Sequence, residues 1–180
     1  MQKFVLCLHK FFGLNHYTTM YASHAHGEVK EDIKGNGGIS EDQDIALSND
    51  PSWEKTAMEW AVVPWGCKKL IEWIADRYDT PPIYITENGF AIDDVKDNGI
   101  IDDSETRLKY YKSYLEACHE AIQNGVNLKG YFAWSMFDNF EWALGYGKRF
   151  GLNYVDYNTM ERTPKESAKW FAKVIANNTV

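Results

Sequence analysis

The chain has 180 residues, 44% of them hydrophobic and 15% aromatic, which is enough for one domain with a substantial core. Its formal charge of −7 argues against nucleic acid and against an anionic membrane surface, because both need clustered Lys and Arg. No run approaches the roughly 18 apolar residues of a membrane-spanning helix.

The first ten residues, MQKFVLCLHK, carry a short apolar stretch broken by His9 and Lys10. This is a poor signal peptide, with no small-residue cleavage site after a sustained apolar region. The expectation is a cytoplasmic protein if Met1 is the genuine start, whereas a longer parent with a leader would be extracellular. Phe11–Thr18 (FFGLNHYT) reads as a strand entering a loop. Residues 24–52 are polar, with GNGG at Gly35–Gly38, and read as a long surface loop. Trp53 to Tyr78 has a helical pattern interrupted at Pro64, with Leu70, Ile71, Ile74 and Tyr78 on one apolar face.

After Pro81-Pro82, Ile83–Thr86 reads as a short apolar strand and Asn88 to Asp103 as a polar loop. Asp102 and Glu105 have capping-box spacing. The helix they introduce repeats Leu108, Tyr111, Leu115, Cys118 and Ile122 on one face, and Asn124-Gly125 ends it. Lys129–Ser135 reads as another strand and Asn153–Val155 as a short one. The last helix is expected to start with Thr163 as cap and Pro164 at its first position.

Strands therefore alternate with helices, which indicates a parallel α/β sheet. Ligands of such sheets sit at the C-terminal strand ends. Those ends carry Asn15 and Tyr17, then Glu87 and Asn88, then Trp134 and Ser135. Glu87 follows four strand residues, so the sheet would aim its carboxylate into the rim. Position alone equally allows a solvated loop glutamate.

Three ordered motifs bear on that choice: FGLNHY at Phe12–Tyr17, IYITENG at Ile83–Gly89, and WSMFDNFEW at Trp134–Trp142 followed by Gly145-Tyr146 and Arg149–Gly151. Together they resemble glycoside hydrolase family 1, in its β-glucosidase and lactase-like branch, over about Phe11 to Ile175. The resemblance implies a partial (β/α)8 barrel, roughly its last three β/α units, spanning residues 11–180, with residues 1–10 atypical. It implies retaining hydrolysis of a β-glucoside or related small glycoside, with Glu87 as nucleophile and Tyr17 orienting it. Asn15, Trp134, Glu141, Trp142 and Phe150 would bind sugar: Trp134 as a platform, Glu141 and Trp142 through hydrogen bonds to hydroxyls, Phe150 as pocket wall. A sugar offers hydroxyls and apolar C–H faces, which suit carboxylates and indoles.

Retaining chemistry needs a second carboxylate as acid/base. The resemblance places it in an Asn-Glu-Pro tripeptide, which these 180 residues lack. The expectation is half of a catalytic pair, inactive alone. The alternatives are a non-catalytic carbohydrate-binding or interaction remnant, and a truncated product without function. A partial barrel also leaves open sheet edges, so self-association is expected.

No cofactor and no metal is assigned. Asp94–Glu105 fits several calcium-loop positions, but Lys96 would put a cation among the ligands and no helix precedes it. His24 and His26 lack a third ligand. Cys7, Cys67 and Cys118 suggest neither a disulfide framework nor a metal cluster. His16, between Asn15 and Tyr17, is expected to face away from them.

Overall fold

Ile83 and Ile85 alternate with Tyr84 and Thr86, and this period of two sends the isoleucines to one side of a strand. In a computed structural model describing residues 10–25, 44–93 and 102–180, both isoleucines are fully buried. Their strand, β4 (Ile83–Asn88), is the middle of a three-stranded parallel sheet. β1 (Phe12–Asn15) lies on one side and β6 (Leu128–Ala133) on the other. Among the described residues, β1 and β6 are the sheet's two edges.

Each strand is followed by a helix: α1 (Pro64–Arg77), α2 (Lys109–Gln123) and α3 (Glu166–Asn177). One sheet face packs on α1 and α2 through Ile71, Ile74, Tyr110, Tyr111, Tyr114 and Cys118. Burying each such isoleucine contributes about 1.5–3 kcal/mol. The opposite face carries Gly13, Tyr84, Thr86 and Phe132, and Phe132 is 57% exposed. It is the side that would face a barrel lumen.

Smaller pairings brace the connections. β2 (Tyr21–His24) pairs antiparallel with β3 (Ile45–Ser48). The ends of the expected 24–52 surface loop are thus a hairpin-like ladder, while residues 26–43 lie outside the described residues. β5 (Ile92–Asp93) pairs with β7 (Lys148–Arg149). β8 (Asn153–Val155) pairs with β9 (Arg162–Pro164).

Several expected boundaries move. Helix α1 begins at Pro64, not Trp53, because proline suits a first helical position where its missing N–H costs nothing. Residues 53–63 form turns instead, with Thr56 N donating to Trp60 O and Glu59 at φ 59°. The capping box at Asp102 and Glu105 does not form. Asp102 accepts from Ser104 N and Oγ at 3.3 and 2.6 Å, and Ser104–Leu108 winds as a π-helical turn. The buried acid is Asp103: it pairs with Arg107 and accepts Ser167 N and Oγ at 2.8 and 2.6 Å.

On α2 the buried positions are Tyr110, Tyr111, Tyr114, Ala117, Cys118 and Ala121, whereas Ile122 is exposed. The stripe is rotated because hydroxyl-bearing tyrosines fill the core and find hydrogen-bond partners there. Asn124 caps this helix and Gly125, at φ 95°, ends it as expected. Finally, Thr163 and Pro164 belong to β9 and α3 starts two residues later. Lys165 breaks the expected cap because its ammonium is drawn into the interior, onto Asp138 and Gly151 O at 2.9 and 2.7 Å.

Candidate active site

The C-terminal ends of β1, β4 and β6 converge on one rim. Beyond β1, Tyr17 donates its hydroxyl to Glu87 Oε2 at 2.6 Å. Burial, then the hydrogen bond and charge of Glu87, then the charge of Glu141, push the Tyr17 phenol well above the ordinary tyrosine range. It is therefore a protonated donor at any physiological pH. Its ring packs on Trp60 at 5.1 Å and edge-on to Phe150 at 6.1 Å.

The third strand end brings Trp134 and, along the following loop, Glu141. The Trp134 indole acts on the Glu141 carboxylate by favouring its charged form. Partial burial raises the Glu141 pKa and the Glu87 charge adds to it, while the Trp134 indole opposes both. Two carboxylates thus share one electrostatic environment beside a tyrosine and an indole. Trp134 is itself anchored: its N–H donates to Asn88 O at 2.8 Å and its carbonyl accepts from Tyr111 at 3.1 Å. A Cβ on Gly89 would lie 2.0 Å from Trp134 O, so only glycine lets β4 pass there.

The loop from Ser135 to Gly151 is held by a buried charge cluster. Asp138 accepts from Arg149 at 3.1 Å, Lys165 at 2.9 Å and Gly151 N at 2.8 Å. Arg107 donates to Arg149 O at 2.8 Å and to Phe90 O at 3.2 Å. Burial lowers Lys165 to about 8. These residues fix the segment that carries Glu141 and Phe150.

Of the residues singled out in the sequence, Tyr17, Glu87, Trp134 and Glu141 are brought together. Phe150 is 1% exposed and lies beneath the rim against Tyr17 and Trp60, as a buried support for the tyrosine. Asn15 sits opposite Glu87 in the strand register, but its side chain accepts from Thr86 Oγ1 at 2.7 Å on the open face. Trp142 is 85% exposed and opens the single 3-10 turn that follows Glu141. Trp60, in a segment whose sequence pattern is helical, also packs on Tyr17. Asn88, which the sequence places at a strand end without a role, and Asp138, inside the third motif, are both buried beneath the rim.

His16 faces away from the rim, as alternation predicts: its ring lies 6.0 Å from Tyr114 and burial lowers its pKa to about 4. Of the calcium-like run, Asp94–Ile101 lies outside the described residues. So do Cys7, His9 and His26. A groove of about 780 Å³ lies elsewhere, between α2, α3 and the start of β6. It holds no residue of the Glu87 cluster; a three-stranded arc cannot enclose its own rim.

The Glycosyl hydrolase family 1 model matches residues 2–180. The chain is 46% identical to beta-glucosidase 42 of Arabidopsis thaliana over 170 residues, covering 92% of this chain and 34% of that protein. It is 45% identical to the cytosolic beta-glucosidase of Cavia porcellus over 172 residues, covering 93% and 34%. Its fold matches the beta-glucosidase from Thermotoga maritima in complex with castanospermine with a TM-score of 0.79 at 38% identity, over 95% of this chain and 35% of that one. Another structure of that enzyme holds glucoimidazole. The chain thus spans about a third of the length of these relatives, and its three β/α units are part of a (β/α)8 barrel. On this match the chain belongs to glycosyl hydrolase family 1.

Proposed function

We propose that residues 11–180 supply the nucleophile half of a retaining β-glucosidase-type site. Glu87 attacks the anomeric carbon as a carboxylate, the bond to the leaving oxygen breaks, and a covalent glycosyl-enzyme forms. Tyr17 holds the attacking oxygen by its 2.6 Å hydrogen bond, and this pairing is the observation on which the reading rests most. Glu141 accepts hydroxyls of the sugar, Trp134 stacks under it, and Trp142 donates its indole N–H. Asn15 lies near the same cluster, and Phe150 backs the pocket wall from beneath through Tyr17. The ligand is a β-glucoside or related small glycoside.

The leaving oxygen needs a proton and the second step needs a base. Neither comes from an Asn-Glu-Pro tripeptide in these 180 residues. By themselves they would glycosylate slowly and hydrolyse the intermediate still more slowly, since general acid catalysis alone contributes about 10²–10⁴-fold. Turnover of a 4-nitrophenyl β-glucoside by the purified chain should be absent or several orders below that of an intact family member. Turnover near that of an intact enzyme would refute this.

The Glu141–Trp134 pair favours one rival, a non-catalytic sugar-binding piece. Glucoimidazole binding that is lost in Trp134→Ala, with no covalent reaction at Glu87, would select that rival.

A further inference from the structure

We infer that Asn88 is the positioning residue that turns Glu87 into the site; this rests on the reading of Glu87 as nucleophile. Period-two alternation from Ile83 and Ile85 would bury Glu87 under the helices and put Asn88 on the open face. The opposite occurs. Glu87 meets Tyr17 on the rim, and Asn88 is fully buried against α2. The β4–β6 register shifts between Ile85 and Asn88, and the β1–β4 register shifts between Leu14 and Asn15, so both ladders break at this level. Such a break re-aims a side chain.

What holds the break is the Asn88 side chain. Its amide nitrogen donates to His16 O at 2.6 Å and to Tyr110 Oη at 2.8 Å. Its amide oxygen accepts from Tyr131 Oη. Both amide hydrogens are used, which an aspartate or leucine could not reproduce. Its backbone carbonyl takes Trp134 N at 2.8 Å, and Glu87 O takes His16 N at 2.9 Å. One side chain therefore ties β1 just before Tyr17, the core helix, and β6 just before Trp134. Losing these bonds would let β4 relax toward regular alternation and separate Glu87 from Tyr17.

The direct readout is the Tyr17 hydroxyl proton in an NMR spectrum of the chain, assigned by its loss in Tyr17→Phe and its shift in Glu87→Gln. A half-buried hydroxyl held at 2.6 Å by a carboxylate exchanges slowly and resonates downfield. Asn88→Ala should abolish this signal. Tyr131→Phe, which deletes one oxygen and keeps the ring, should move it upfield with the fold intact. If Asn88→Ala does not fold, Tyr131→Phe decides the matter alone.

A purely structural Asn88 would lower the melting temperature and leave the Tyr17 signal unmoved in both variants, which would overturn the inference. So would absence of the signal in the unaltered chain. Labelling by a 2-fluoroglucoside with a dinitrophenolate leaving group, run in parallel, tests Glu87 as nucleophile. Failure there, with the hydroxyl signal responding as described, sinks the nucleophile reading and not the role of Asn88 in placing Glu87.

Discussion

Tyr17 and Glu87 lie 70 positions apart in sequence and meet at 2.6 Å, because β1 and β4 run parallel and end side by side. The contact joins a donor that stays protonated to the carboxylate proposed as nucleophile. A hydrogen bond to a charged group contributes about 1.5–3 kcal/mol. Tyr17→Phe should therefore slow covalent glycosylation of Glu87 by about 10–100-fold, with unfolding lowered by no more than the about 1.5–3 kcal/mol of the lost bond. Labelling rates read by intact mass check this; equal rates would remove Tyr17 from the mechanism.

His16 makes stability depend on pH. Its folded pKa is about 4, lowered from 6.5 by burial, so between these values the unfolded chain binds the extra proton. The stability it contributes is complete above 6.5 and is lost as pH falls toward 4, by about 3 kcal/mol. Urea unfolding of the chain and of His16→Gln at several pH values should show this extra loss only with histidine present. Parallel curves would contradict it.

Asp138 faces two buried cations, Arg149 and Lys165. Asp138→Ala would take the shared carboxylate from both and should cost about 3–5 kcal/mol. Lys165→Met should cost less, because Arg149 still neutralises Asp138 and burial already disfavours the Lys165 ammonium. Chemical denaturation of the two variants gives the order directly; the reverse order would show that Lys165 is the organising charge.

The edges β1 and β6 and the exposed Phe132 predict self-association of the isolated chain. Sedimentation velocity should show a mean mass that rises with concentration. A monomer at every concentration would show that the edges are protected.

The strand ends of Tyr17, Glu87 and Trp134 are legible because turn residues and motif order agree there, whereas alternation from Ile83 and Ile85 alone would turn Glu87 into the core. What escaped depended on tertiary burial. Asp102 looks as good a cap as Asp103, and only the burial of Arg107 and Ser167 beside Asp103 decides between them. Thr163-Pro164 has the pattern of a helix start, yet pairing with β8 and the buried Lys165 ammonium override it. Trp60 was hidden by a helical periodicity that the turn at Glu59 breaks.

The central claim is that Glu87 forms a bond that this chain cannot efficiently break. Dinitrophenolate leaves without protonation, so a dinitrophenyl β-glucoside isolates the nucleophilic step from the missing acid. Incubated with it, the chain should release about one equivalent of dinitrophenolate and then nearly stop. Its intact mass should rise by one glucosyl group, mapped to Glu87 and absent in Glu87→Gln. No burst and no adduct, or steady release that continues in Glu87→Gln, would contradict the account.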